Sequence, residues 1–491
     1  MGRFDWRTGA VVVVVAVSVL VGMVALAQGN GSNNPPPPAP SKPTRAQLEF
    51  AVWGSGEEIA AYQAVVDAWN ASSQDTKVTM TSWPDASSML ADLRSGKTEP
   101  DLYLLPRSEL ATTMEEGDNI GLLDLINERE IPIGDDFARA AVQAFSHDDD
   151  LQCMPYTASP MVIYYNTDLV DFEAMDAEGL PTPREDHASW KMAELRAAVE
   201  YASRPRRGTR GIYIEPSLRG LAPFIYSGGG QVFDDPAEPT SLALGEDGSA
   251  DALQETLELL RDPRLTLSAK QLSRRTPLQW FERGKLAMIA GFRSLTPQLR
   301  EAGVSFDVLP MPSLGSSRTV ADLTGICIAP GRPGRTGAAA NFLSYLVDDE
   351  AIGRIAETGY LQPAKLTVAL SEAFMQPEQQ PEHGTVFTQS LRNMVLQPLL
   401  VPEAELEALV APDLVDLLTT PYFEDLREDL RAIDEKSRTL LDPDYEPEES
   451  DEESDGESDD PSGASPSGPS GSPSVPDVEP SSTVTDDRKR D

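Results

Sequence analysis

An α/β fold is predicted for this 491-residue chain, and three observations carry the prediction. Between Leu48 and Leu105, apolar strand-like runs alternate with segments of helical spacing. The same alternation returns between Ser189 and Leu346. Joining the two regions is MPYTASPMVIYYNTDLV, from Met154 to Val170, which is extended, interrupted at Pro155 and Pro160, and extended again. Proline has a fixed φ and no N–H, so neither a helix nor a central strand accepts it. The stretch reads either as a connector between two bodies or as a buried strand with an irregular entry. Asn166, after the β-prone run Met161 to Tyr165, is the expected N-cap of a helix starting at Thr167-Asp168.

The elements follow in order. Leu48 to Trp53 is a first strand, ending in Gly54-Ser55-Gly56. Ile59, Tyr62, Val65, Val66 and Trp69 then fall on one helical face. Lys77 to Thr81 is a second strand, Asp85 caps a helix through Leu93, and Asp101 to Leu105 is a third strand stopped by Pro106. This order predicts a parallel sheet with right-handed crossovers. Further on, helices are expected over Ser189 to Ala202 and Ala250 to Leu260, and strands at Gly211 to Ile214, Phe306 to Pro310 and Thr324 to Ala329. Thr336 to Leu346 is again helical, and Glu403 to Leu441 mostly so. Gly54-Ser55-Gly56 is not a nucleotide loop, because Ile59 stands where GxGxxG needs its third glycine and no Gly-Lys-Ser/Thr follows. A strand end opening into a helix N-terminus still offers free N–H groups to a polar ligand.

Composition narrows the function. With 80 acidic and 40 basic residues the formal charge is −40, and nucleic acid is excluded as a partner because phosphate binding needs a basic footprint. The three histidines, His147, His187 and His383, show no metal-ligand spacing, so neither a metal site nor a cofactor is expected. Arg3 and Arg7 precede a charge-free run from Gly9 to Ala27, which is a cleavable signal core or a retained membrane anchor. Either way the chain is exported, to the periplasm or the outer face of the cytoplasmic membrane. There a bridge between Cys153 and Cys327 can persist, or the two stay buried free thiols. A Pro-rich linker at 28–45 cannot bury a core and is expected to be an extended spacer, and the acidic Ser/Pro-rich tail is expected to be disordered.

Phe281-Glu282-Arg283-Gly284-Lys285-Leu286-Ala287-Met288 resembles the F-x-x-G-K-x-A-M signature of the maltose-binding-protein-like solute-binding proteins of ABC importers. Met154 to Val170 resembles their lobe crossover, P-Y … Y-Y-N-x-D-L. Pro100-Asp101-Leu102, Trp190 with Glu194-Leu195, Ser227-Gly228-Gly229, Phe306 to Pro312 and Gly359 to Pro363 are similar to further motifs in the same order. The resemblance spans Leu48 to Thr420. It departs from the family in a longer approach to Trp190 over 182–188, in the missing lipid-anchor cysteine and in the acidic tail. It implies a two-lobed periplasmic-binding-protein type II fold with a hinge. The expected division is 1–27 signal or anchor, 28–45 linker, 46–435 binding body and 436–491 tail. Within the body the expected N-lobe is 46–155 plus 293–330, and the C-lobe 156–292 plus 331–435. Cys327 is then expected in a strand near Cys153, close enough to bridge.

A polar ligand such as a sugar needs fixed donors and acceptors together with flat apolar platforms. Candidates at strand ends are Trp53, Ser55, Glu57, Arg107 and Ser108 from the N-lobe, and Tyr156 and Ser159 from the crossover. The C-lobe offers Glu215, Tyr226, Phe292 and Arg293. The implied function is non-catalytic capture of a sugar or related polar solute by hinge closure, with an ABC permease as partner. A membrane-tethered sensor or scaffold uncoupled from transport is the alternative. A two-carboxylate glycosidase is disfavoured, since no GxSxG elbow or metal motif stands out.

Overall fold

The computed structural model describes residues 45–401, 403–420 and 425–446. The expected apolar segment, nearly all of the linker and most of the acidic tail lie outside those residues, and no described helix is long and apolar enough to cross a membrane.

The first lobe begins with β1 (Ala46–Trp53), α1 (Gly56–Ser72), β2 (Thr76–Trp83), α2 (Ala86–Arg94) and β3 (Leu102–Pro106). Ser55 starts α1 with a capping box: its hydroxyl accepts the Glu58 N–H while the Glu58 carboxylate accepts the Ser55 N–H. Tyr62, Val65 and Val66 bury the inner face of α1. Asp85 caps α2 as expected. The strands β1, β2 and β3 run parallel, with Phe50 opposite Met80 on one side and Leu102 on the other.

The crossover consists of β4 (Met154–Pro160) and β5 (Val162–Asn166), with Met161 alone between them. β4 is the last strand of the first sheet, so Pro155 and Pro160 sit where a missing N–H does no harm. Thr157 pairs with Thr324 and Pro155 with Gly325, which leaves Tyr156 as one extra residue in a bulge. The expected helix at Thr167 is a turn instead. Asn166 Oδ1 accepts the Asp168 N–H, and the next helix is capped by Asp171. The Asn166 side chain closes on itself two residues ahead, which satisfies a turn as well as a cap.

The second lobe adds α3 (Met192–Ala202), β6 (Arg210–Tyr213), α4 (Leu218–Ser227), α5 (Asp247–Leu260), β7 (Leu286–Gly291) and β8 (Phe306–Leu309). Its sheet has the order β8-β5-β7-β6. The chain then re-enters the first sheet as β9 (Ala321–Ile328), antiparallel between β3 and β4, giving the order β2-β1-β3-β9-β4. α6 (Pro333–Leu346) and α7 (Asp349–Ala356) follow, then α8 (Thr385–Ser390), α9 (Glu403–Thr419) and α10 (Leu426–Leu441).

Two expected lobe boundaries are corrected. β8 pairs with β5, so 306–309 lies in the second sheet rather than in the N-lobe. α6 and α7 pack on β1, β9 and α1, because Phe342 stacks edge-on against Phe50 and tilts against Trp69, with ring centres 5.6 and 5.4 Å apart. They therefore belong to the first lobe, not the C-lobe. α9 and α10 return to the second lobe against α5, and α10 runs to Leu441, six residues past the expected limit of the body.

Three chain segments thus join the lobes, and Thr319 ties them together. Its N–H donates to the Asn393 carbonyl, its own carbonyl accepts the Val395 N–H at 2.8 Å, and its Oγ1 donates to the Met161 carbonyl at 2.7 Å. Beside it, the Met161 N–H donates to the Val320 carbonyl. Cys153 and Cys327 form a disulfide between the entry to β4 and β9, with a sequence separation of 174 residues.

Candidate functional site

The ends of β1, β4, β7 and β9 meet between the lobes around a cavity of about 140 Å³. Trp53, Ser159 and Phe292, three of the candidates named from the sequence, line it. So do Thr157, Asp322, Tyr360 and Gln362, which sequence reasoning missed. Adjoining it at Asp322 is a second space of about 70 Å³ lined by Arg107, Ser108, Arg219, Gln397 and Glu403.

Two polar side chains that line the first cavity have buried atoms with no hydrogen-bond partner among the described residues. The Trp53 indole N–H is one, and both ends of the Gln362 amide are the other, with Gln362 fully buried. Buried polar groups are nearly always paired, so an unpaired set lining a cavity marks where a polar guest or water completes the bonding. Phe292 supplies a flat apolar ring beside them. Arg219, from the first turn of α4, lies 4.3 Å above that ring and pairs with Asp322 at 3.2 Å. The geometry joins an aromatic platform, an indole donor, an amide and a carboxylate in one crevice.

Charge there is balanced. Arg107 donates to the Ala144 carbonyl and to the Gln397 carbonyl, which lies in the segment returning to the second lobe. Burial raises the Glu403 carboxyl above its ordinary value despite the nearby Arg107 and Arg219. Each arginine lining the two spaces is therefore already engaged.

Several expected ligand residues are placed elsewhere. Tyr156 is fully buried with its ring centre 6.3 Å from that of Tyr62, and burial pushes its phenol far up. The bulge turns it into the core, not toward a ligand. Arg293 is also fully buried: its guanidinium donates to the Gly359 and Phe374 carbonyls and packs over the Phe374 and Phe387 rings. Desolvation lowers it to about 10. It anchors the core beneath Phe292, and only its backbone N–H, donating to Ser159 Oγ, approaches the crevice. Ser55 spends its hydroxyl on the helix cap and bonds Tyr360. Glu57 and Glu215 are exposed and line neither space. Tyr226 is buried in the second lobe, pushed up to about 12 by burial, and hydrogen-bonds Gln397.

The motif around Gly359 to Pro363 was the one available signal for Gln362. Asp322 had a weaker one, a carboxylate inside an otherwise apolar strand. Arg219 had none, because its role depends on α4 abutting β9.

The sequence pattern of a family described as "Bacterial extracellular solute-binding protein" matches residues 64–382. The chain belongs to that family. Among curated proteins no sequence matches it. Solved solute-binding proteins share its fold. An ABC substrate-binding protein of Listeria monocytogenes in complex with cycloalternan aligns at TM-score 0.68 and 18% identity, over 81% of this chain and 99% of that one. A cyclic alpha-maltosyl-1,6-maltose binding protein of Arthrobacter globiformis gives 0.66 and 19%, over 81% and 99%. The GacH receptor of Streptomyces glaucescens, known unliganded and with acarbose, gives 0.64 and 17%, over 82% and 100%. This solute-binding protein therefore has the two-lobed architecture in which such ligands are held.

Proposed function

We propose that this solute-binding protein captures a neutral carbohydrate, an oligosaccharide in preference to a charged polyol, and presents it to an ABC permease without altering it. The observation that carries the reading is the unpartnered Trp53 N–H and Gln362 amide beside the Phe292 ring. Hydroxyls at a sugar's edge satisfy such groups, while its C–H face covers an aromatic ring. Arg107 and Arg219 are both engaged and leave no free cation among the described lining residues, which disfavours a phosphorylated ligand. The named ligands of the similar structures, cyclic and linear α-glucans and acarbose among them, support the carbohydrate class.

The cavity of about 140 Å³ is smaller than the range of about 300–1,000 Å³ common for ligand sites. An oligosaccharide would enter by rotation of the lobes about the Thr319 ribbon and displace Arg219 from the open face of Phe292. Export through the apolar segment at 9–27, cleaved or retained as an anchor, belongs to the same reading.

The test is a thermal-shift screen of the purified protein against linear and cyclic α-glucans, acarbose, monosaccharides and phosphorylated polyols. A ligand that binds only the folded state raises the melting temperature by mass action. A shift with glucans that disappears in Phe292→Ala and Gln362→Ala supports the proposal. A shift with phosphorylated polyols alone, or none across the panel, overturns it.

A further inference from the structure

Only three histidines occur in the chain, at spacings that match no metal motif, yet folding places two of them on one carboxylate. Asp307, the second residue of β8, is buried, and its Oδ1 accepts the Val308 and His383 N–H groups at 2.9 and 3.0 Å. Its Oδ2 lies 2.5 Å from His383 Nδ1 and 3.6 Å from His187 Nδ1. The two imidazoles stack with ring centres 3.8 Å apart. Candidate ligand atoms of all three residues lie within 4.8 Å of one another.

Protons alone do not satisfy this cluster. The Nε2 of His383 lies 3.2 Å from the Glu185 carbonyl and is placed to donate to it. The His187 ring likewise makes a hydrogen bond to the Val308 backbone. These carbonyls favour an N–H at Nε2 of each ring, so the 2.5 Å contact of His383 Nδ1 with Asp307 needs a further proton or a cation, and His187 Nδ1 is left as a lone pair. A doubly protonated His383 would serve Glu185 and Asp307 together, but His187 Nδ1 would still be unpartnered, and His187 is 7% exposed. A carbonyl on the distal nitrogen is the usual outer support of a metal-bound histidine. Ligand distances of about 2.0–2.1 Å in a tetrahedral site separate neighbouring donors by about 3.4 Å. The His187–Asp307 pair already has that spacing, the His383–Asp307 pair needs to widen by about 1 Å, and the two rings need to part from 3.8 Å to about 5 Å.

We propose that His187 Nδ1, Asp307 Oδ2 and His383 Nδ1 bind a divalent ion of borderline softness, Zn²⁺ foremost. Two imidazoles and one carboxylate suit that class rather than Ca²⁺ or Mg²⁺, which take oxygen ligands. A water fills the fourth position. None of the three residues lines the interlobe spaces, so the ion is structural. It pins two segments to the edge of the second sheet. One is the 182–188 extension that sets this chain apart from its family pattern. The other is the stretch between Gln376 and α8. The inference is independent of the carbohydrate reading.

The test uses the full chain, stripped by chelator and titrated with Zn²⁺ against a chromophoric competitor. Millimolar Mg²⁺ is kept present to occupy the acidic tail. The expected result is one strong equivalent, weakened tenfold or more in His187→Ala and in His383→Ala and unchanged in His147→Ala, whose side chain is about half exposed and faces only Asp148. Co²⁺ added to the unmutated chain gives a visible absorption band of a four-coordinate nitrogen–oxygen site, a readout that does not depend on any variant folding. No strong equivalent in the unmutated chain, no Co²⁺ band, or equal affinity in all three variants overturns the proposal.

Discussion

Replacing both bridged cysteines, Cys153→Ala with Cys327→Ala, tests how the second lobe is tethered. The bond closes a loop that leaves the first sheet, builds the sheet and most of the second lobe and returns in β9; its ends are 174 residues apart. In the chain-entropy model the stabilisation grows with the logarithm of loop length and reaches about 5 kcal/mol here. Truncating two fully buried sulfurs pushes the same way. Packing at this point is tight, since a Cβ on Gly325 would meet Phe145 at 2.8 Å and the Cys153 Cβ at 3.1 Å. Urea unfolding followed by tryptophan fluorescence reads the effect. With a slope of about 3 kcal/mol/M, the upper value for small proteins and a low one for a chain of this size, the midpoint falls by about 1.7 M or less. Reduction of the unmutated protein gives the same displacement. An unchanged midpoint in the double variant refutes the loop argument, and two free thiols in the non-reduced protein would remove its premise.

Other outcomes follow from the same contacts. Thr319→Val keeps shape but deletes the bond to the Met161 carbonyl, and a buried unmatched acceptor costs about 1–3 kcal/mol, measured as a lower melting temperature. Arg293→Ala strips donors from two buried carbonyls and lowers stability by about 3 kcal/mol or more, whereas Phe292→Ala, half-buried at the cavity wall, impairs ligand binding with a much smaller loss of stability; equal destabilisation by the two would contradict the placement. Burial raises the folded-state carboxyl of Glu403 above 4.5. A raised carboxyl contributes stability that is complete below its unfolded value and lost as pH rises through the folded one. Melting temperature should therefore climb as pH falls toward 5, and Glu403→Gln should flatten that slope; an unaltered slope in the variant argues against the burial.

Much of the fold was legible because it is written in local chemistry. The capped α1 and α2, the parallel β1–β3 and the proline-marked crossover each depend on residues close in sequence. The lobe boundaries were not, since α6 could have packed on either lobe by its own pattern, and only Phe342 meeting Phe50 and Trp69 assigns it. The crevice was partly legible. Trp53, Ser159 and Phe292 stand at strand ends and line the cavity. Tyr156 and Arg293 look identical in sequence terms, but a bulge and a bed of carbonyls draw them inward. Gln362, Arg219 and the His187–Asp307–His383 group depend on contacts between distant segments, which no periodicity records.

The Thr319 ribbon has a mechanical consequence. Two bodies joined by one strand can swing, slide and twist. Joined by three neighbouring segments bonded at Thr319 and Met161, they keep rotation about that ribbon as the softest coordinate. Closing on a guest then fixes a single angle instead of several displacements, and little of the binding energy is lost in ordering the protein. Such a closure would bring Trp53 and Gln362 toward Phe292 at one angle, with Arg219 the group that has to leave the ring.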